Sequence, residues 1–203
     1  MRNKIILAMA AAGMMYGASA FAAVDHTAGP FGQGKVTFTG TITNSPCDIQ
    51  TGDEDMTVKF GQISYRSLKG DHAADTADAQ PVTIHLLNCA FDANDGNGDT
   101  ESAGQMSKVH VNFTGNTASV STDVAYPNPS GSGMAGGVGV QLLDSKMSVL
   151  TPSKLASEGT TPQQLQPGDN QIQLFAQLIN LGGADTVTPG NINIPLNYTL
   201  TYN

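Results

Sequence analysis

Asn191-Ile192-Asn193-Ile194-Pro195-Leu196-Asn197-Tyr198-Thr199-Leu200-Thr201-Tyr202-Asn203 ends the chain and decides how the rest is read. Ile192, Ile194, Leu196, Tyr198, Leu200 and Tyr202 take every second position, with Asn, Pro or Thr between them. A period of two puts these apolar side chains on one face of a sheet, so the stretch is a β-strand. A strand this regular needs a neighbour on each edge, because an open edge exposes unpaired N–H and C=O groups beside an apolar face. No residue after Asn203 is expected to supply the second neighbour.

A similar run lies near the other end. Gly34, Val36, Phe38, Gly40 and Ile42 share one parity, and Lys35, Thr37, Thr39 and Thr41 the other, which describes a strand with one apolar face. Asn44-Ser45-Pro46 breaks it just ahead of Cys47. Between these ends, alternation recurs at Met56, Val58 and Phe60, where Gly61 stops it, and at Val109, Val111 and Phe113. Val82 to Cys89 reads as a buried strand carrying the second cysteine. Val138, Val140 and Leu142 form another strand, Val149 with Leu150 begin a short one, and Ile172, Leu174 and Phe175 open one that runs to about Leu181. Polar, Gly-rich loops separate them at Lys69 to Gln80, Asp92 to Gly104 and Pro127 to Gly137. Six or seven strands with no helical periodicity predict an all-β sandwich.

Met1-Arg2-Asn3-Lys4, an apolar run to Tyr16 and the small residues Ala18, Ala20 and Ala22 read as a secretory signal over 1–22, cleaved after Ala22. The mature chain then has 181 residues, 203 less 22. It divides into an N-terminal tail and strand over 23–43, with Ala23 to Phe31 as a mobile tail, and one domain over 44–203. Losing Arg2 and Lys4 reduces the nine basic residues to seven against seventeen acidic ones, a net charge of −10. Nucleic acid and anionic membrane surfaces are therefore poor partners. Cys47 and Cys89 are the two cysteines, and in an oxidising compartment they are expected to pair. No CxxC or adjacent His supports a thiol site instead.

Several pieces, in order, resemble pilus subunits of the chaperone–usher pathway of Gram-negative bacteria, most of all the rod pilins of P-type and type 1 fimbriae. They are Gly32-Gln-Gly-Lys-Val-Thr-Phe-Thr-Gly-Thr-Ile42, Ser45-Pro-Cys47, Phe60-Gly-Gln62, Ile84-His-Leu-Leu-Asn-Cys89, Val138-Gly-Val-Gln-Leu-Leu-Asp144, Gly190 and Tyr202. The resemblance implies an incomplete immunoglobulin-like β-sandwich lacking its C-terminal strand, completed by a strand from a partner. It implies a periplasmic chaperone, an outer-membrane usher and neighbouring pilins as partners, in a protein that ends at the cell surface. Residues 34, 36, 38, 40 and 42 would be the donor. Ile192, Ile194, Leu196, Tyr198, Leu200, Tyr202 and Asn203 would form the acceptor groove and chaperone contact, with the Asn203 carboxylate held by basic residues of the chaperone. Val36, Phe38 and Ile42 would each contribute about 1.5–3 kcal/mol on full burial. Gly40 matches the family's donor glycine and, lacking a Cβ, lets two backbones approach closely.

Other chemistry finds less support. Gly131-Ser-Gly-Met-Ala-Gly136 fits GxGxxG but follows prolines rather than a strand. In the 92–101 loop, placing the turn glycine at Gly96 or Gly98 puts Phe91 or Ala93 at the first ligand position, so an EF-hand fails and no metal or cofactor is expected. Asp25-His26 and Asp71-His72 lie in tail or loop, and without GxSxG or HExxH they read as surface residues rather than catalysts. His85 and His110 are expected to face outward. A minor tip or adaptor subunit, or a carbohydrate-binding adhesin, is the alternative; two-domain adhesins carry a further domain and lack a donor extension.

Overall fold

The computed structural model describes residues 34–91, 106–115, 123–182 and 186–203. The predicted signal 1–22, the tail to Phe31 and the 92–104 loop lie outside them. The chain divides into two compact units, Met1–Ile42 and Thr43–Asn203. In the first, residues 34–42 join no ladder, and Val36, Phe38 and Ile42 are 74%, 91% and 101% exposed. Among the described residues, the alternation written there pairs with no other strand.

The second unit is all-β, in two antiparallel sheets. The larger contains β1 (Asp48–Ile49), β2 (Gln80–Cys89), β8 (Gly168–Asn180), β5 (Val138–Leu143) and β4 (Tyr126–Pro127) in that order, with β6 (Val149–Leu150) also on β5. The smaller runs β7 (Gln163–Gln164), β3 (Lys108–Gly115), β9 (Leu196–Tyr202). Val82, Ile84 and Leu86 of β2, Ile172, Leu174, Ala176 and Leu178 of β8, and Val109, Val111 and Phe113 of β3 fill the core. β3 and β2 as far as Leu86 obey a period of two, which is why their inward residues were legible from sequence; on β8 the alternation at Ile172, Leu174 and Ala176 gives way to continuous burial through Asn180.

Three details depart from the expected pattern. First, β2 starts at Gln80 and only one face is closed: Ile84 and Leu86 are fully buried, whereas His85 and Leu87 between and beyond them are not. Its parity also breaks, because the β2–β8 register shifts between Leu86 and Cys89, where Asn88 takes a left-handed φ of 53°. This bulge turns Cys89 inward, and it is bonded to Cys47.

Second, a helix is present. α1 (Pro152–Ser157) begins with proline in its first turn, where the missing N–H costs nothing, and buries Leu155. Six residues are too few for a 3.6 period to show in sequence. Gly159 follows with φ +74°, and a Cβ there would sit 2.7 Å from the His110 ring and 2.9 Å from the Val111 carbonyl oxygen. His110 is thus half-buried under this turn rather than fully outward. Third, the final strand is shorter than 191–203: it begins at Leu196, because Pro195 has no N–H for the ladder.

Candidate strand-acceptor groove

β9 is an edge strand. One side pairs with β3 from Gly115↔Leu196 to Val109↔Tyr202, and Lys108 and Asn203 exchange N–H···O bonds of 3.0 and 2.9 Å just beyond. On the other side, no described residue pairs with it. The consequence shows in burial. Val109, Val111 and Phe113 on β3 are at most 5% exposed, while Leu196, Tyr198, Leu200 and Tyr202 on the neighbouring strand, packing on the same core, stay half-exposed. Ile194 is likewise half-buried, Ile192 is 38% exposed, and Asn203 is exposed.

A second unpaired stretch lies earlier in the chain. β1 pairs with β2, and Gln50 still donates its N–H to the His85 carbonyl at 3.1 Å. At Gly52, with φ +102°, the backbone turns away from the sheet edge, a conformation that glycine adopts without strain. Met56, Val58 and Phe60 then alternate half-buried with exposed Thr57 and Lys59, and the apolar three pack on the core. Among the described residues, 56–60 make no backbone hydrogen bond. They are a strand in pattern that lacks a ladder, like the outer edge of β9.

Two fastenings hold this segment. The Cys47–Cys89 disulfide, spanning 42 positions, ties its start to the end of β2, and the Ala90 N–H donates to the Pro46 carbonyl at 2.8 Å. Closing such a loop stabilises the fold by about 4 kcal/mol in the chain-entropy account. At the turn, the Asp53 carboxylate accepts the His85 backbone N–H at 2.6 Å and lies 2.9 Å from His85 Nδ1. The Tyr198 hydroxyl in turn donates to the Asp53 carbonyl at 2.9 Å. Burial, and then the carboxylates of Asp53 and Glu54, push the Tyr198 pKa up, so the phenol keeps its proton and donates. Burial raises Tyr202 as well, with a smaller opposite pull from the Ser45 hydroxyl.

The approach to β9 is set by a loop-on-loop junction that sequence periodicity does not reveal. Asn128 Nδ2 donates to the carbonyls of Ala135 (2.8 Å) and Asn191 (3.0 Å), and its Oδ1 accepts the Asn193 N–H at 3.0 Å. Gly190 passes so close that a Cβ would lie 2.3 Å from the Met134 carbonyl carbon. Gly131 to Gly136 therefore anchors backbone here; Met134 forms a parallel bridge with Asn191. Of the expected donor residues, Gly34 and Gly40 have no atom within 4 Å of where a Cβ would stand, and Val36, Phe38 and Ile42 remain exposed.

Asp71 and His72 form an exposed contact of 2.8 Å, and His85 is engaged by Asp53. The wall at 56–60 was visible as an alternation of the same kind as the final strand. What carried no signal was that 56–60 would pair with no described residue; an unfilled edge was expected only for the final strand.

These features define a class: an immunoglobulin-like sandwich in which one strand position is empty. Residues 36–203 match the family model described as fimbrial protein. The chain belongs to that family. It is 32% identical over 200 residues to the fimbria A protein of Serratia marcescens, covering 98% of each chain. It is 33% identical over 172 residues to the type-1 fimbrial protein A chain of Escherichia coli K12, covering 83% of each. Its fold is similar to a subunit of a chaperone–usher pilus solved in a study of rod uncoiling, with a TM-score of 0.65, 26% identity, and coverage of 87% of this chain and 99% of that one.

Proposed function

We propose that this protein is a structural, non-enzymatic fimbrial subunit that polymerises by strand donation. A strand from another copy fills the gap beside β9, pairing with its outer edge and with residues 56–60. In turn, Gly34, Val36, Phe38, Gly40 and Ile42 are the face that this chain gives away. Leu196, Tyr198, Leu200 and Tyr202, with Ile192 and Ile194 ahead of them, receive it.

The single observation that carries the reading is the half-exposed floor of β9 beside two unpaired backbone edges, in a unit whose other core strands are closed. Adding one strand would satisfy both edges and cover the floor. The exposed alternation at 34–42, free of proline, has the chemistry of such a strand. The family and its pilus-subunit neighbour support the same reading.

In this scheme a periplasmic chaperone lends a strand before assembly. An outer-membrane usher then delivers the subunit to a fimbria at the cell surface. The test is a mature chain lacking 32–42. It should bind the chaperone yet fail to extend a fibre, and normal fibre growth would refute the proposal.

A further inference from the structure

We propose that Asp53 is a positioning residue for strand capture: it joins His85 of β2 to Tyr198 of β9 and props the two sheets at the side where a strand is missing. This rests on the strand-donation reading above and adds to it a device that keeps the empty site ready.

The prop has two joints. The Asp53 carboxylate, with its side chain 13% exposed, takes the His85 N–H and sits on His85 Nδ1, which fastens the turn to the larger sheet. The Asp53 carbonyl takes the Tyr198 hydroxyl, which belongs to the smaller sheet. A tyrosine reaches roughly 6.5 Å from Cα to Oη by standard bond lengths. With a 2.9 Å hydrogen bond added, the span is close to the ~10 Å that separates packed sheets.

The need for a prop follows from the floor. Leu196, Leu200 and the Tyr198 ring pack on the core yet remain half-exposed, and burying that apolar surface favours collapse of the two edges onto each other. A collapsed gap admits no strand. A rigid ring, packed 6.3 Å from Phe113 and tied at its far end, resists this at the point where the sheets lack a covering strand. Once a strand is bound, it closes the edge itself and the prop becomes redundant. The raised Tyr198 pKa keeps the donor proton in place.

The experiment uses the mature full chain and a labelled synthetic peptide copying residues 32–42, read as the rate of peptide uptake and the melting temperature of the peptide-filled form. Tyr198→Phe, which keeps the ring, and Asp53→Ala should each slow uptake by about two- to tenfold, the range set by one net hydrogen bond. The double variant should be no slower than the slower single, because both cut one strut. Asp53→Asn, which keeps an oxygen for the His85 N–H, should stay within about twofold of the parent, and Tyr198→Phe should lower the melting temperature of the filled form less than that of the empty chain. Uptake at the parental rate in Tyr198→Phe, faster uptake, multiplying losses in the double variant, or an equal loss of stability in the filled form would each overturn the inference while leaving strand donation intact. A parent chain that takes up no peptide would overturn both.

Discussion

Phe38→Ala is the sharpest probe of strand donation. In the isolated chain the Phe38 ring is 91% exposed, so removing it should not change the stability of the unit over Thr43–Asn203. If the ring enters a neighbour's groove, its loss removes about 3 kcal/mol, the low end for Phe→Ala in a packed core because the groove floor is only half-buried. That corresponds to a loss of affinity on the order of a hundredfold. The assay is competition between synthetic peptides of residues 32–42 for the full-length chain. Thr37→Ala, on the opposite parity, is the control and should weaken binding less than about threefold, as surface substitutions do. Equal losses at both positions, or none at Phe38, would refute the idea that one face of this strand is buried in a partner.

Gly190→Ala should destabilise the unit by about 1–3 kcal/mol and lower its urea midpoint, since the new Cβ would overlap the Met134 and Ala135 backbone at 2.3 and 2.4 Å. Reducing the Cys47–Cys89 bond should remove about 4 kcal/mol, visible as a lower melting temperature in dithiothreitol. Alkaline unfolding should set in between pH 10 and 12. Burial, and secondarily the Asp123 carboxylate, push the Tyr126 pKa from 10.0 up to about 12, so its contribution is complete below pH 10 and fades as pH rises through the folded value. Urea midpoints measured across that range should fall, and Tyr126→Phe should flatten the fall.

The periodicity of the chain was enough to fix the strand-rich class and most of the inward residues. Val82, Ile84 and Leu86, or Val109, Val111 and Phe113, point inward because alternation is a local property of extended backbone. An apolar face at Val36, Phe38 and Ile42 could be written down the same way, although residues 34–42 join no ladder and those side chains are exposed, and the export signal made pairing of Cys47 with Cys89 the expected state. Local sequence was silent on events that depend on a second segment. The bulge at Asn88 that turns Cys89 inward is a mismatch between β2 and β8, invisible in either strand alone. Helix α1 is held by Leu155 burial and by the Asn112 side-chain amide of β3 donating to the Leu155 carbonyl, not by its own short pattern.

The groove itself marks the division most clearly. Sequence by itself determined that residues 56–60 and 196–202 each carry an apolar face, because side-chain alternation needs no partner. Tertiary structure alone decided that residues 56–60, like the second edge expected to be unfilled on the final strand, pair with no described residue, and that Tyr198 reaches Asp53, because hydrogen-bond pairing and side-chain reach depend on where distant segments come to rest.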